Sequence, residues 1–287
     1  MKTISELNKQ IMERVAVVRT LEELCRETGN PAGAGTVDVI VFSFVADISG
    51  TAAMFCVPVA ERGLFTRASE ITLNGVRGHP GPAPNERLGV VDALVFADER
   101  QEDSHSTHQY DGAALFLDLL GGDAVEVECL SVEETRFSNR TGLESMEFAR
   151  LYVNNASFPL GGEVPRGVVD SLQAGTSVVL NGSPGIVVGP GTRHRHDAPT
   201  LSLAADLWEM DRTLMTDPHS SRPRHTVALA IQLRDAAMAS EFVAWAKSNA
   251  SSSLLAPSAK EAANRLQSWI QEGRFLLTET GVPDSSV

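Results

Sequence analysis

Hydrophobic positions in this chain recur with two periods. Near the start, Ile4, Leu7 and Ile11 share one helical face, and Thr3 with Glu6 has the spacing of a capping box, which predicts a first helix. Residues 15–18 form a short β-like run. Residues 20–28 read as a second helix stopped by Gly29-Asn30-Pro31. Residues 37–45 are β-branched and aromatic throughout, which predicts a buried strand ending at Ala46-Asp47-Ile48-Ser49-Gly50. A further strand with an Asn-Gly turn spans 70–76, and 78–84 is too broken by Gly and Pro for regular structure. Residues 90–96 predict a third strand, and the polar run 98–108 a surface excursion. Residues 110–120 predict a helix stopped by Gly121-Gly122; alternation resumes at 125–129, and 144–151 reads as a helix.

Two apolar runs, 177–180 and 186–188, flank Asn181-Gly182-Ser183-Pro184-Gly185, which reads as a tight hairpin. A second bend, Gly189-Pro190-Gly191-Thr192, delivers Arg193, His194, Arg195, His196 and Asp197. Dense glycine lets backbone amides approach a ligand and the basic cluster suits an anion, although the same pattern also describes a well-turned hairpin before a solvated loop. Strands are predicted at 200–205 and 225–233, and helices at 236–248 and 258–272. No internal repeat is read. The expected fold is mixed α and β (α+β or α/β), a single large domain over 1–250 with a C-terminal helical extension, 251–287, packed on it.

Composition narrows the partners. With 24 Lys and Arg against 37 Asp and Glu, the net charge of −13 argues against broad contact with nucleic acid or anionic membranes, so any anion must be recognised locally. No 18-residue apolar run occurs and the N-terminus starts like a helix rather than a secretion signal, which points to the cytoplasm. Cys25, Cys56 and Cys129 are odd in number and widely spaced, so they form neither a disulfide framework nor a four-thiolate cluster site.

Recognised catalytic signatures are few. His194, His196 and Asp197, with His105 or His108, offer metal-ligand chemistry but match no zinc spacing. No GxSxG elbow and no GxGxxG turn occurs. Cys56, in Met54-Phe-Cys-Val-Pro58, sits in apolar surroundings that would raise its pKa, and Cys129 ends an alternating strand.

Several stretches, in order, resemble the homocysteine-biosynthesis family, the aspartate-semialdehyde sulfurtransferases: residues 2–11, Ala16-Val-Val18, Val37-Asp-Val39, Thr72-Leu-Asn-Gly-Val76, Val91-Asp-Ala93, Tyr110-Asp-Gly112, Asn155-Ala156 and Trp269-Ile-Gln-Glu-Gly273. The closest is the hairpin from Gly175 through Gly182, Gly185 and Thr192 to His194. The resemblance implies delivery of sulfur to a small aldehyde substrate, with an external sulfide or persulfide donor and a ferredoxin-type reductant as a separate partner protein; it firmly implies no resident cofactor, no metal is assigned, and a homo-oligomer is the general expectation for a cytoplasmic α/β-type enzyme. It places substrate contacts at Ser49, Gly50, Asn74, Tyr110, Asn155, Gly182, Gly185, Thr192 and His194. The family pattern has a cysteine just before its Ser-Gly and a second after the strand at 125. Here Asp47 takes the first position and the second falls near Arg136. Asp47 and Arg136 are therefore expected to face one site as an ion pair or as acid–base group and anion anchor, with Cys56 the nearest remaining thiol.

Overall fold

Alternating apolar runs dominate the middle of the chain, and they become strands. The computed structural model describes residues 2–27, 37–81, 85–101, 110–158, 172–195, 199–216, 222–233, 236–248 and 256–278. In chain order the elements are α1 (Ile4–Met12), β1 (Val18–Thr20), α2 (Leu21–Glu27), β2 (Val39–Asp47), β3 (Thr51–Pro58), β4 (Ala68–Leu73), β5 (Val76–Pro80), β6 (Val90–Phe96) and α3 (Gly112–Leu120). Then follow β7 (Val125–Ser131), β8 (Arg136–Thr141), β9 (Ala149–Ser157), β10 (Ser177–Leu180), β11 (Ser183–Pro190), β12 (Thr200–Asp206), β13 (Arg224–Gln232), α4 (Ala236–Ser248) and α5 (Pro257–Gln271). The architecture is mixed α and β with helices at the C-terminal end.

Two compact units emerge. The first gathers Met1–Asp47, Asn155–Ala204 and Arg224–Val287, and the second Ile48–Asn154 and Ala205–Pro223. In the first, the strands run β1-β2-β13-β10-β11-β12; in the second, β3-β6-β5-β4-β7-β8. These orders contain one repeated pattern. The run β2-β13-β10-β11-β12 matches β8-β7-β4-β5-β6, with a hairpin whose first strand pairs antiparallel to a later strand, which in turn pairs antiparallel to one from the other half of the chain. The halves β2–β7 and β8–β13 thus have equivalent topology with their first strands exchanged. A repeat of this kind is invisible in the sequence, because Leu-Asn-Gly at the two hairpin turns is the main local similarity and the exchange hides the rest.

The first unit is held by β2, which is buried along its length up to Asp47. Val39 and Val41 meet Ala262, Leu266 and Ile270 of α5, while Phe42 and Phe44 stack on Phe158 and Phe42 meets Phe242 and Trp245 edge-on. Burying Leu266 and Ile270, both at 0% exposure, stabilises by about 2 kcal/mol each. The capping box at Thr3 and Glu6 forms as the sequence predicts, with Leu7 and Ile11 turned into the same core.

Four local expectations change. The helix predicted at 144–151 is a short 3-10 turn followed by β9, because Ala149, Leu151 and Val153 alternate inward. The irregular stretch expected from Gly78 begins as strand, since β5 runs to Pro80 and pairs with β6. The hairpin turn at 181–185 shortens to Asn181-Gly182, and Gly185 becomes a strand residue opposite Val178. β3 and β8 have no counterpart among the predicted elements; β8 is almost wholly exposed, so burial prints no apolar alternation on it.

Candidate functional site

Asn181 and Gly182 close the β10–β11 hairpin with positive φ at both positions, 51° and 85°, the type I′ pattern that Asn-Gly favours. Asn181 is fully buried, and its amide and side chain are hydrogen-bonded to β13. Its amide donates to the Thr226 carbonyl (2.8 Å), its Oδ1 accepts from the Thr226 amide (2.9 Å), and its Nδ2 lies 3.0 Å from His225 Nδ1. Nδ2 can only donate, so His225 Nδ1 accepts and the neutral ring carries its proton on Nε2. Complete burial holds His225 uncharged, with its pKa lowered to about 3.

The second unit repeats this bracket. Asn74 and Gly75 close β4–β5 with φ of 50° and 74°. Asn74 donates its amide to the Glu126 carbonyl (2.7 Å), accepts the Glu126 amide on Oδ1 (2.8 Å), and donates Nδ2 to Tyr110 Oη (3.1 Å). Tyr110 Oη donates onward to Asp118 (2.7 Å). Burial, and then the bond to Asp118, push the phenol well above its ordinary range. The structure thus brings two predicted site residues, Asn74 and Tyr110, together as a strut between hairpin and helix.

With Thr226 and Glu126 at equivalent places, the neighbouring positions can be compared directly. In the first unit His225 pairs with Ala46, and Arg224 pairs with Asp47 at the carboxyl end of β2. Side chains so opposed have Cβ atoms about 5 Å apart. In the second unit Val125 takes the place of His225, and one residue further Ala124 and Gly142 take the places of Arg224 and Asp47. At these positions the same topology therefore closes without a charge, with Val125 opposite Thr141 and the charged pair Glu126–Arg140 one place further in. The exposed carboxylate, the arginine and the buried imidazole of the first unit are not demanded by the fold, which marks this strand end as the candidate site. Arg224, His225 and Asn181 were missed in the sequence; the repeated Leu-Asn-Gly was the signal that leads to them.

The remaining predicted residues fall as follows. In the first unit, Asn155 donates Nδ2 to Thr192 Oγ1 (3.2 Å) and accepts the Arg193 amide (2.8 Å), so it shapes the loop after β11. His194, an exposed residue, has its Nδ1 3.0 Å from the Thr200 carbonyl. His105, His108, His196 and Asp197 lie outside the described residues, and no group of three or more metal-ligating side chains gathers among the described ones. In the second unit, Ser49 and Gly50 make the exposed turn before β3, with Gly50 at φ 79°. Arg136, at the start of β8, shares a cleft of about 210 Å³ with Cys129. Asp47 and Arg136 belong to different units, and the cationic residue in register with Asp47 is Arg224.

The two buried thiols are poorly placed for nucleophilic work. Cys56 is pushed up to about 11 by burial, then by the charge and hydrogen bond of Asp92, its register partner on β6. Cys129 is likewise pushed up to about 11 by burial, with Glu86 adding to it. At pH 7 about one molecule in ten thousand carries either as thiolate.

Comparison with known proteins gives the site its setting. An uncharacterized protein of Methanothermobacter thermautotrophicus is 32% identical over 245 residues, covering 72% of this chain and 56% of the relative. An uncharacterized protein of Methanocaldococcus jannaschii is 30% identical over 238 residues, covering 70% and 58%. The L-aspartate semialdehyde sulfurtransferase of Methanocaldococcus jannaschii is 24% identical over 267 residues, covering 74% and 49%. The chain spans about half the length of the curated relatives it matches. No solved structure matches it. No helix among the described residues is long and apolar enough to cross a membrane. Residues 14–159 match the family described as homocysteine biosynthesis enzyme, sulfur-incorporation, and with half of its length so matched the chain belongs to that family.

Proposed function

We propose that this chain incorporates sulfur into a small carbonyl substrate resembling aspartate semialdehyde, bound at the Asp47–Arg224 end of β2 and β13. The observation that carries the reading is the Asp47–Arg224 pair at the strand end of the first unit, set against the uncharged Gly142 and Ala124 at the equivalent positions of the second. Arg224 anchors the substrate carboxylate through charge-assisted hydrogen bonds. Asp47, exposed beside it, holds the substrate ammonium or moves a proton at the carbonyl oxygen. The overall change converts an aldehyde, hydrogen sulfide, two electrons and two protons into a thiol and water. Sulfur arrives as sulfide, or from a persulfide donor whose outer sulfur takes two further electrons and two protons from the same reductant to leave as hydrogen sulfide and the donor thiol, because the chain's own buried thiols stay protonated. Electrons come from a separate ferredoxin-type protein. The relative named L-aspartate semialdehyde sulfurtransferase supports the substrate class.

The test is homocysteine formation from aspartate semialdehyde, sodium sulfide and reduced ferredoxin, followed by mass spectrometry. Arg224→Ala should raise KM about tenfold or more, as loss of one charged hydrogen-bonding partner requires, and Asp47→Asn should lower kcat. Product formation untouched by either change sinks the assignment. Asp47 standing where the family pattern has a cysteine favours a second reading, a diverged non-sulfur enzyme or a ligand-binding subunit on the same scaffold. That reading predicts substrate-analogue binding sensitive to Arg224→Ala with no homocysteine formed.

A further inference from the structure

Further back along β2 from Asp47, the first unit holds a cavity of about 300 Å³ among β2, α2, α4 and α5. Leu21, Val41, Ala246 and Ala263 give it an aliphatic wall. Its polar lining carries donors and acceptors together, each with capacity left over. Thr20, buried where β1 passes into α2, accepts the Glu23 amide on its hydroxyl oxygen (3.2 Å), and its hydroxyl proton meets no acceptor among the described residues. Ser43 donates to the Ala259 carbonyl (2.7 Å) and keeps its lone pairs. Asn264, on α5, has no hydrogen-bond partner among the described residues, so its carboxamide offers a donor and an acceptor. Glu22 takes Lys260 (3.2 Å) and Arg26 (2.9 Å) on the same oxygen, Oε1, which leaves Oε2 to accept. Lys260 spends one ammonium proton on that contact and keeps the others. Lys247, the other charged residue of the lining, has an interaction of its own.

We propose that this cavity binds an aliphatic α-amino acid as its zwitterion, the ammonium at Glu22, the carboxylate at Lys260 and Asn264, and the side chain against the aliphatic wall. The head group of an amino acid holds opposite charges side by side, as Glu22 and Lys260 do at 3.2 Å, so the two pairs meet head to tail. Thr20 and Ser43 add one neutral donor and one neutral acceptor. A plain carboxylate would set its charge against Glu22 with no ammonium to answer it, and a plain amine would do the same to Lys260. The size fits, since about 300 Å³ holds roughly ten groups of water size and norleucine has about nine non-hydrogen atoms. An aliphatic wall with a few convergent polar groups is the usual make-up of a small-molecule site. No residue of the Asp47–Arg224 end lines the cavity, so the proposal stands apart from the sulfur chemistry.

Cys25 lines the same cavity and reports on its occupancy, being half-exposed where Cys56 and Cys129 are buried. The experiment measures Cys25 alkylation by iodoacetamide, read by peptide mass spectrometry on the full chain, with L-norleucine, sodium hexanoate or 1-pentylamine as probe. Hexanoate is norleucine without its ammonium, and pentylamine is norleucine without its carboxylate. Saturating norleucine should slow alkylation about tenfold, and equal hexanoate or pentylamine less than about twofold, because each lacks half of the charged head group. Glu22→Gln should raise the norleucine concentration for half protection about tenfold and Asn264→Ala about threefold, each compared with its own ligand-free rate. Both residues are exposed, so these variants keep the fold. Arg224→Ala should leave half protection within about twofold, which separates this cavity from the sulfur site. Absence of protection by norleucine, equal protection by hexanoate or pentylamine, protection unmoved by Glu22→Gln or by Asn264→Ala, or protection lost with Arg224→Ala would overturn the proposal. The comparison of the three probes on the native chain decides the question alone should a variant misfold.

Discussion

The Asn181 and Asn74 turns are built alike and end differently. Both use a type I′ Asn-Gly turn to bracket one residue of a neighbouring strand through its carbonyl and its amide. The third bond goes to a fully buried His225 in one case and to the half-buried Tyr110–Asp118 pair in the other. Beyond the bracket, one unit presents Asp47 and Arg224 where the other has Gly142 and Ala124. The shared part is therefore structural. The part that differs is free to serve chemistry.

Asn181→Ala should break this symmetry most. It strands the Thr226 amide and His225 Nδ1 in a fully buried site and strains a residue at φ 51°, at a cost of about 4 kcal/mol in urea unfolding. Asn74→Ala should cost about 2 kcal/mol, because its surroundings admit water. Equal losses would mean that burial does not separate the brackets. Acid should separate them next. Between about pH 6.5 and 3 the unfolded chain protonates its His225 while the folded one does not, so stability falls as pH falls. From pH 7 to pH 5 the loss should be about 2 kcal/mol, and His225→Gln, which keeps an acceptor for Asn181, should remove most of it.

A smaller effect belongs to the other bracket. Tyr110→Phe removes one donor and one acceptor in a half-buried strut and should cost about 1 kcal/mol, with no change in the acid limb. The smallest effect on stability is the most informative. Asp47→Gly with Arg224→Ala gives the first unit the second unit's residues, and unfolding should shift by less than about 1 kcal/mol while substrate turnover is lost. A large destabilisation would return these charges to the fold.

Several of these features were readable from the chain. Residues 90–96 became β6 to the residue, and both Asn-Gly turns follow from the need for positive φ. Tyr110-Asp111-Gly112 announced α3, because Asp111 caps it through the Ala114 amide. What stayed hidden depends on partners far away in sequence. His225 reads as one more strand residue until Asn181 is laid beside it, and Arg224 has no meaning until β13 pairs with β2. Cys56 was seen as a thiol in apolar surroundings, and burial does hold it protonated, but the carboxylate that adds to this, Asp92, is contributed by β6 across the β3–β6 ladder.

The central claim is that sulfur comes from outside and meets its substrate at a charged strand end without a protein thiolate. The direct measurement is homocysteine formation by the Cys25→Ala, Cys56→Ala, Cys129→Ala variant, its fold checked by circular dichroism, with aspartate semialdehyde, sulfide and reduced ferredoxin. Turnover within about twofold of the native chain, a difference of about 0.4 kcal/mol in the barrier, is the predicted result. A folded variant that forms no homocysteine, while the native chain does, would contradict it.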